Sequence, residues 1–198
     1  ARGLDCLELS IGGGFCIKYV DSDHPVPLGE MCANLVHYAE KALDEKGVTI
    51  SKLITEPGRA MVGEAGYTIY TIGDMKKSGD KNYIFVDGGM SDNIRHALYD
   101  AEYTAVLPEK LSQKPEKTYC VAGKNCESGD ILIAQIDLPE AEPGDLLTVY
   151  STGAYGYSMA SNYNRLGRPP VVFAKDGEAR LIIRRETYED QFRLEAED

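Results

Sequence analysis

Two junctions between apolar runs and loops carry residues able to hold an anion and a charged ring. Gly12-Gly13-Gly14 directly follows one such run, and three successive glycines leave backbone N–H groups open to close approach by a phosphate. The same residues also make an ordinary tight turn. Glu56-Pro57-Gly58-Arg59 follows the next run. A carboxylate fixed by a neighbouring proline can hold a protonated ring nitrogen, and a nearby arginine can clamp an anion with two parallel hydrogen bonds. The alternative is a local Glu–Arg pair on the surface. Further on, Asp87-Gly88-Gly89-Met90-Ser91-Asp92-Asn93-Ile94-Arg95 ends a strand and enters a short helix that sets Arg95 and Tyr99 one turn apart. That spacing lets both grip a carboxylate, or packs the guanidinium over the ring. Cys126-Glu127-Ser128-Gly129-Asp130 puts a thiol beside a carboxylate between two strands, where a cysteine is either a reactive group or a small buried hydrophobe. Gly153-Ala154-Tyr155-Gly156-Tyr157 adds two phenols at another strand end, suited to a site or to packing.

The elements that must position these groups follow two grammars. Residues 4–11 read as a buried strand, followed by the glycine turn and a loop with His24, Pro25 and Pro27. From Leu28 to Lys46, Met31, Leu35, Ala39, Ala42 and Leu43 recur at helical spacing, and Gly47 is placed to end the helix. Residues 49–55 return as a strand. Strand, helix, strand is the order of a parallel sheet or of the last units of a (β/α) barrel, in which both turns open on the C-terminal face where sites of that fold lie. After about Glu64 the helical period gives way to short strands, expected at 67–72, 83–86, 103–106, 117–121, 131–136 and 146–150. Residues 171–174 and 179–184 flank Lys175-Asp176-Gly177 as a hairpin, and 186–197 reads as a charged helix. The expected fold class is therefore α/β plus all-β. Residues 1–64 would be the last units of a (β/α)8 TIM-type barrel, and residues 65–198 an antiparallel β domain.

Composition narrows the possible partners. Among 198 residues, 21 Lys and Arg stand against 32 Asp and Glu for a net charge of -11, and no basic run offers a footprint for a phosphate backbone. Nucleic acid is not an expected partner. The five cysteines, at 6, 16, 32, 120 and 126, form no CxxC pair and leave one over, which suits a reducing, cytoplasmic setting. No apolar run approaches the roughly 18 to 20 residues of a membrane span, so no membrane partner is expected, and no metal site is. Ala1 opens what reads as a strand already in progress, which predicts a fragment or proteolytic product.

Taken in order, the five motifs resemble the fold-type III, alanine-racemase-like family of pyridoxal-phosphate-dependent basic amino-acid decarboxylases, over nearly the whole chain. CESGD at 126–130, unlike the CDGxD pattern of ornithine decarboxylases, is most similar to the branch that acts on diaminopimelate. SDNIRHALYDA at 91–101, GAYGYSMASNYN at 153–164 and RRETYED at 184–190 point the same way. The resemblance implies pyridoxal 5'-phosphate as cofactor and decarboxylation of meso-2,6-diaminopimelate to L-lysine with release of carbon dioxide. It places Gly12, Gly13, Gly14 and Gly58 around the cofactor phosphate and Glu56 at the pyridine nitrogen. Arg59 is placed on the substrate close to that phosphate, and Tyr155 at cofactor and substrate. Arg95 and Tyr99 would bind the distal carboxylate and amine end. Cys126 would return a proton to the carbanionic carbon and Glu127 would hold the distal ammonium, both reaching into the neighbouring subunit of a homodimer. Loss of carbon dioxide leaves a carbanion, so a protonated ring, a fixed scissile bond and one returned proton are each required.

The departures from the family pattern carry information too. The lysine that holds the cofactor and the histidine that stacks on its ring belong to early barrel units and have no counterpart in these 198 residues. The chain by itself is thus expected to be inactive. Cys16 stands where glycine is common and His96 where proline is; both are expected to be tolerated, with Cys16 crowding the cofactor approach. Two other functions fit the same motifs. One is a decarboxylase of arginine, ornithine or carboxynorspermidine; the other is a non-catalytic homologue that regulates or binds a partner.

Overall fold

The computed structural model describes residues 8–196. The expected first strand extends to residues 4–7 and the last expected helix to Glu197, both outside that range, as is Cys6. Strand β1 (Glu8–Ser10) pairs in parallel with β2 (Lys52–Ile54), with Leu9 opposite Leu53. Parallel neighbours need a crossover, and helix α1 (Leu28–Lys46) supplies it. Its bounds are those that the apolar spacing predicts. Met31, Leu35, Ala39 and Leu43 form the half-buried stripe, while Ala42 is exposed. Gly47 ends the helix in the left-handed conformation, φ 60°, and donates to the Asp44 carbonyl while Val48 donates to that of Leu43. A four-residue helix α2 (Arg59–Val62) then leads out of the second turn.

Strand β3 (Thr68–Ser78) follows, longer than expected because its second half, Asp74 to Ser78, is mostly polar and exposed. Its first four residues pair with β8 (Leu146–Val149) and the rest with β4 (Lys81–Val86), with a bulge at Gly73 where it changes partner. Between β4 and β8 come helix α3 (Arg95–Tyr99), strand β5 (Ala105–Val106), a single 3-10 turn (Pro108–Lys110), strand β6 (Lys117–Ala122) and strand β7 (Ile131–Leu138). The resulting six-stranded sheet runs β5-β8-β3-β4-β6-β7. The expectation of an antiparallel domain needs correction: β4 and β6 are parallel, Asn82 opposite Tyr119, and the sheet is mixed. The cause is the connection from Val86 to Lys117. It is long enough, with α3 and β5 within it, to return the chain to the same end before β6 starts.

Ile72, Ile84, Val121, Leu147 and Val149, each no more than 2 % exposed, form the centre of the core with Tyr70, Tyr103 and Tyr119. Helix α4 (Gly156–Met159) and a 3-10 turn (Tyr163–Arg165) follow β8. Strands β9 (Val171–Lys175) and β10 (Glu178–Ile183) form the expected hairpin as a separate two-stranded sheet. Asp176 and Gly177 turn it with φ of 53° and 82°, the two positive values that a two-residue hairpin loop of type I′ needs. The closing helix α5 (Tyr188–Phe192) covers only five of the residues expected to be helical; a Thr187–Asp190 capping box starts it.

Candidate active site

The pairing of β1 with β2 continues beyond both strands. Ile11 N donates to the Ile54 carbonyl at 3.0 Å and Glu56 N to the Gly12 carbonyl at 2.8 Å, so the glycine turn and the Glu-Pro-Gly-Arg turn lie side by side. Gly12 and Gly14 have φ of 72° and 88°, where side chains are strained, and a Cβ on Gly13 would stand 2.4 Å from the Glu56 carbonyl oxygen. Gly13 thus has no room for a side chain, and the backbone at Gly12 and Gly14 favours glycine. Ser10 Oγ donates to Glu56 Oε1 at 2.7 Å and accepts from Gly12 N at 3.2 Å, which aims the carboxylate along the turn. Among the described residues Glu56 and Arg59 form no ion pair, so the surface-pair alternative does not hold.

The arginines converge on a residue that the motif reading left out. Arg59 opens α2, and both its guanidinium and that of Arg95 lie 5.9 Å from the centre of the Tyr19 ring. Approach of the Tyr19 phenol holds the Arg59 pKa above its usual value, against the opposing effect of burial. The two groups do not meet in hydrogen-bond geometry, and the buried Tyr19 hydroxyl has no hydrogen-bond partner among the described residues. Arg95 also lies 5.4 Å from the Tyr99 ring centre and 5.2 Å from that of Tyr155, and its Nε donates to the Tyr103 hydroxyl at 3.0 Å. The guanidinium thus packs over Tyr99, one of the two arrangements that the spacing allows. Tyr155, left-handed at φ 68°, brings its hydroxyl to 3.4 Å from where a Cβ on Gly58 would be. Two motifs distant in sequence thus bring an arginine to Tyr19, and a third brings Tyr155 to Arg95 and Gly58.

Tyr19 is itself held from the sheet side. Its carbonyl accepts from Thr104 N at 3.1 Å and Thr104 Oγ1 at 2.9 Å, and its ring meets Tyr103 edge-on at 5.4 Å. Ser151 Oγ donates to the Lys18 carbonyl at 2.9 Å, and Ile17 Cδ1 occupies the space beside Gly63, 2.3 Å from where a Cβ would be. Cys16 is exposed, with Sγ near the Gly14 carbonyl, and His96 Nδ1 meets the Ala101 carbonyl.

Cys126 and Glu127 are built separately. Their loop is anchored by Asp130, 3 % exposed, which accepts from Asn125 N and Asn125 Nδ2 and also from Met90 N of the Asp87–Arg95 motif, at 2.6 to 2.9 Å. The final Asp of CESGD is thus an anchor, a role its position in the motif does not announce. Both Cys126 and Glu127 are exposed. Cys126 N donates to Asn164 Oδ1 at 2.6 Å and the Tyr163 hydroxyl to Glu127 Oε2 at 3.2 Å. The Gly129 amide, then the Tyr163 and Ser128 hydroxyls, hold the Glu127 pKa below its ordinary value. None of these hydrogen bonds ties the loop to Glu56, Arg59, Arg95 or Tyr155.

Comparison with known proteins gives the family. Residues 16–153 match the family described as pyridoxal-dependent decarboxylase, C-terminal sheet domain. Diaminopimelate decarboxylase of Bacillus subtilis (strain 168) is 50 % identical over 188 residues, 94 % of this chain and 43 % of that protein. The enzyme of the same name from Halalkalibacterium halodurans is 48 % identical over 195 residues, 98 % of this chain and 44 % of its own. The crystal structure of diaminopimelate decarboxylase from M. jannaschii in complex with L-lysine superposes with a TM-score of 0.87 at 30 % identity, covering 99 % of this chain and 44 % of that one. The chain thus spans less than half the length of the relatives it matches.

Proposed function

The chain belongs to the pyridoxal-dependent decarboxylases, and from that premise we propose that it forms part of an enzyme that decarboxylates meso-2,6-diaminopimelate to L-lysine. In this reading residues 1–64 are the last units of a (β/α)8 barrel and residues 65–198 the sheet domain, with the cofactor lysine supplied by sequence outside these 198 residues. The observation that carries the proposal is the meeting of Arg59 and Arg95 at Tyr19, with Tyr155 against Arg95 and Gly58, next to the paired glycine and Glu56 turns.

The residues fit pyridoxal 5'-phosphate. A turn with no room for a Cβ at Gly13, and with positive φ and open space at Gly12 and Gly14, suits a phosphate, and an aimed carboxylate beside it suits a pyridinium. When bound, the cofactor supplies the electron sink that loss of carbon dioxide requires. Gly12, Gly13, Gly14 and Gly58 would hold its phosphate, Glu56 would keep a proton on its ring nitrogen, and Tyr155 would contact it. Arg59 binds substrate near the phosphate. Arg95 with Tyr99 holds the distal carboxylate, and Glu127, ionised over a wider range than an ordinary glutamate, receives the distal ammonium. Cys126 returns the proton to the reacting carbon. In this reading the exposed Cys126–Glu127 loop completes the site of a second subunit in a homodimer, as the family resemblance implies. The four free thiols among the described residues suit a cytoplasmic enzyme.

The test uses a polypeptide of the relatives' full length that carries this chain. Supplied with diaminopimelate, it should release lysine and carbon dioxide in equal amounts, only with the cofactor. A folded, cofactor-loaded protein active on ornithine or arginine instead would change the substrate. Inactivity on all three would favour a regulatory homologue.

A further inference from the structure

We propose that Tyr163 and Asn164 are positioning residues that set Cys126 and Glu127 in place, on a loop whose two ends are clamped by Glu186. The inference rests on the proposed roles of Cys126 and Glu127. Asn164 is left-handed at φ 55° and ψ 23°, and Arg165 follows at φ 58°. Two consecutive non-glycine residues in that region mark backbone held by its surroundings. Glycine would relax the first position, yet the chain keeps a side chain there, and its amide oxygen accepts the Cys126 N–H at 2.6 Å. Tyr163, the residue before, donates to Glu127 Oε2 at 3.2 Å. Two adjacent residues thus each hold one of two adjacent site residues 36 and 38 positions away in sequence.

The loop itself has a fixed base. Asn162 Nδ2 donates to the Glu186 carboxylate, Arg168 N donates to Glu186 Oε2 at 2.9 Å, and Glu186 N donates to the Arg168 carbonyl at 3.2 Å. Its far side is tied down by Arg165, which pairs with Glu195 at 3.0 Å and lies over the Phe192 ring at 5.5 Å. A proton donor misplaced by an ångström loses much of its rate, so a rigid support for an exposed loop has a chemical use. Main-chain support at Cys126 affects where the thiol sits, and side-chain support at Glu127 affects where the distal ammonium binds.

The test uses the full-length, cofactor-loaded protein with Asn164→Gly, Asn164→Asp and Tyr163→Phe. Asn164→Gly keeps the backbone conformation without the acceptor, and Asn164→Asp keeps the acceptor. Amide hydrogen exchange at Cys126 should quicken about tenfold in Asn164→Gly, the order of one lost hydrogen bond, and stay near wild type in Asn164→Asp. Alkylation of Cys126, mapped by peptide mass, should change in the same variant while that of Cys16 does not. The kcat should fall about fivefold or more in Asn164→Gly with KM little changed, whereas Tyr163→Phe should raise KM for diaminopimelate about fivefold at similar kcat. Unchanged amide exchange at Cys126 overturns the role of Asn164, and unchanged KM overturns that of Tyr163. Faster exchange with unaltered kcat leaves the support standing and removes Cys126 as proton donor, so the two failures are distinguishable.

Discussion

Glu56 is held at both its backbone and its side chain, by Gly12 and by Ser10, so its carboxylate points one way before any ring arrives. In the full-length enzyme Glu56→Gln should therefore lower kcat about a hundredfold or more, the scale of a lost proton-holding group. Cofactor affinity should change far less, because the turn from Gly12 to Gly14 is untouched; turnover and a spectrophotometric titration separate the two. Burial has the opposite kind of effect at Asp92, raising its carboxyl pKa above the ordinary 3.8 despite the hydrogen bond it accepts from Gly89. The folded state then binds more protons than the unfolded one, and the stability contributed by this group is lost as pH rises from near 3.8 through the raised value. Asp92→Asn removes that loss. Its stability relative to wild type, measured by urea unfolding from about pH 3 to about pH 7, should rise through that window and then level off. Much of the candidate site was legible at this scale, because the residues that the fold brings together, Gly12 to Gly14, Glu56, Arg59, Arg95 and Tyr155, are charged, aromatic or glycine residues at strand or helix ends. Ser10, Tyr19 and Asp130 were not. Their roles come from bonds to Glu56, Thr104 and Met90, at separations of 46, 85 and 40 residues, which no local pattern encodes.

Among the elements, two glycines make a contrast that separates steric from conformational cost. A Cβ on Gly153 would stand 2.0 Å from the Val62 carbonyl oxygen and 2.9 Å from Gly66 N, where the turn after β8 passes the end of α2. Gly177 has open space around it but φ of 82°. Gly153→Ala should force the two segments apart and cost about 3 kcal/mol, whereas Gly177→Ala should cost about 1 kcal/mol through backbone strain alone. Urea midpoints of the two variants check the order. Helix α1 was legible to the residue because apolar spacing and a terminal glycine agree over five turns. The four-residue helices α2 and α4 are too short to show a period, and the parallel pairing of β4 with β6 depends on the path taken by residues 87–116, which strand patterning does not record. The hairpin of β9 and β10 was legible because its turn chemistry is local.

For the whole molecule, the reading predicts that this 198-residue chain alone fixes no pyridoxal phosphate on any of its lysines after borohydride reduction, checked by peptide mass. It also predicts complementation. Mixing one full-length parent altered at Cys126 with another lacking the cofactor lysine should restore about a quarter of wild-type activity, since half of randomly mixed dimers are mixed and each rebuilds one site in two. No recovery after verified subunit exchange would assign Cys126 to its own subunit's site. The embrace of residues 17–19 by Gly63, Thr104 and Ser151 also bears on how two such proteins can be recombined. A chimaera spliced near residue 64 would join Ile17, Lys18 and Tyr19 of one parent to Thr104 and Ser151 of the other. A crossover just before Phe15 would inherit the whole embrace from a single parent.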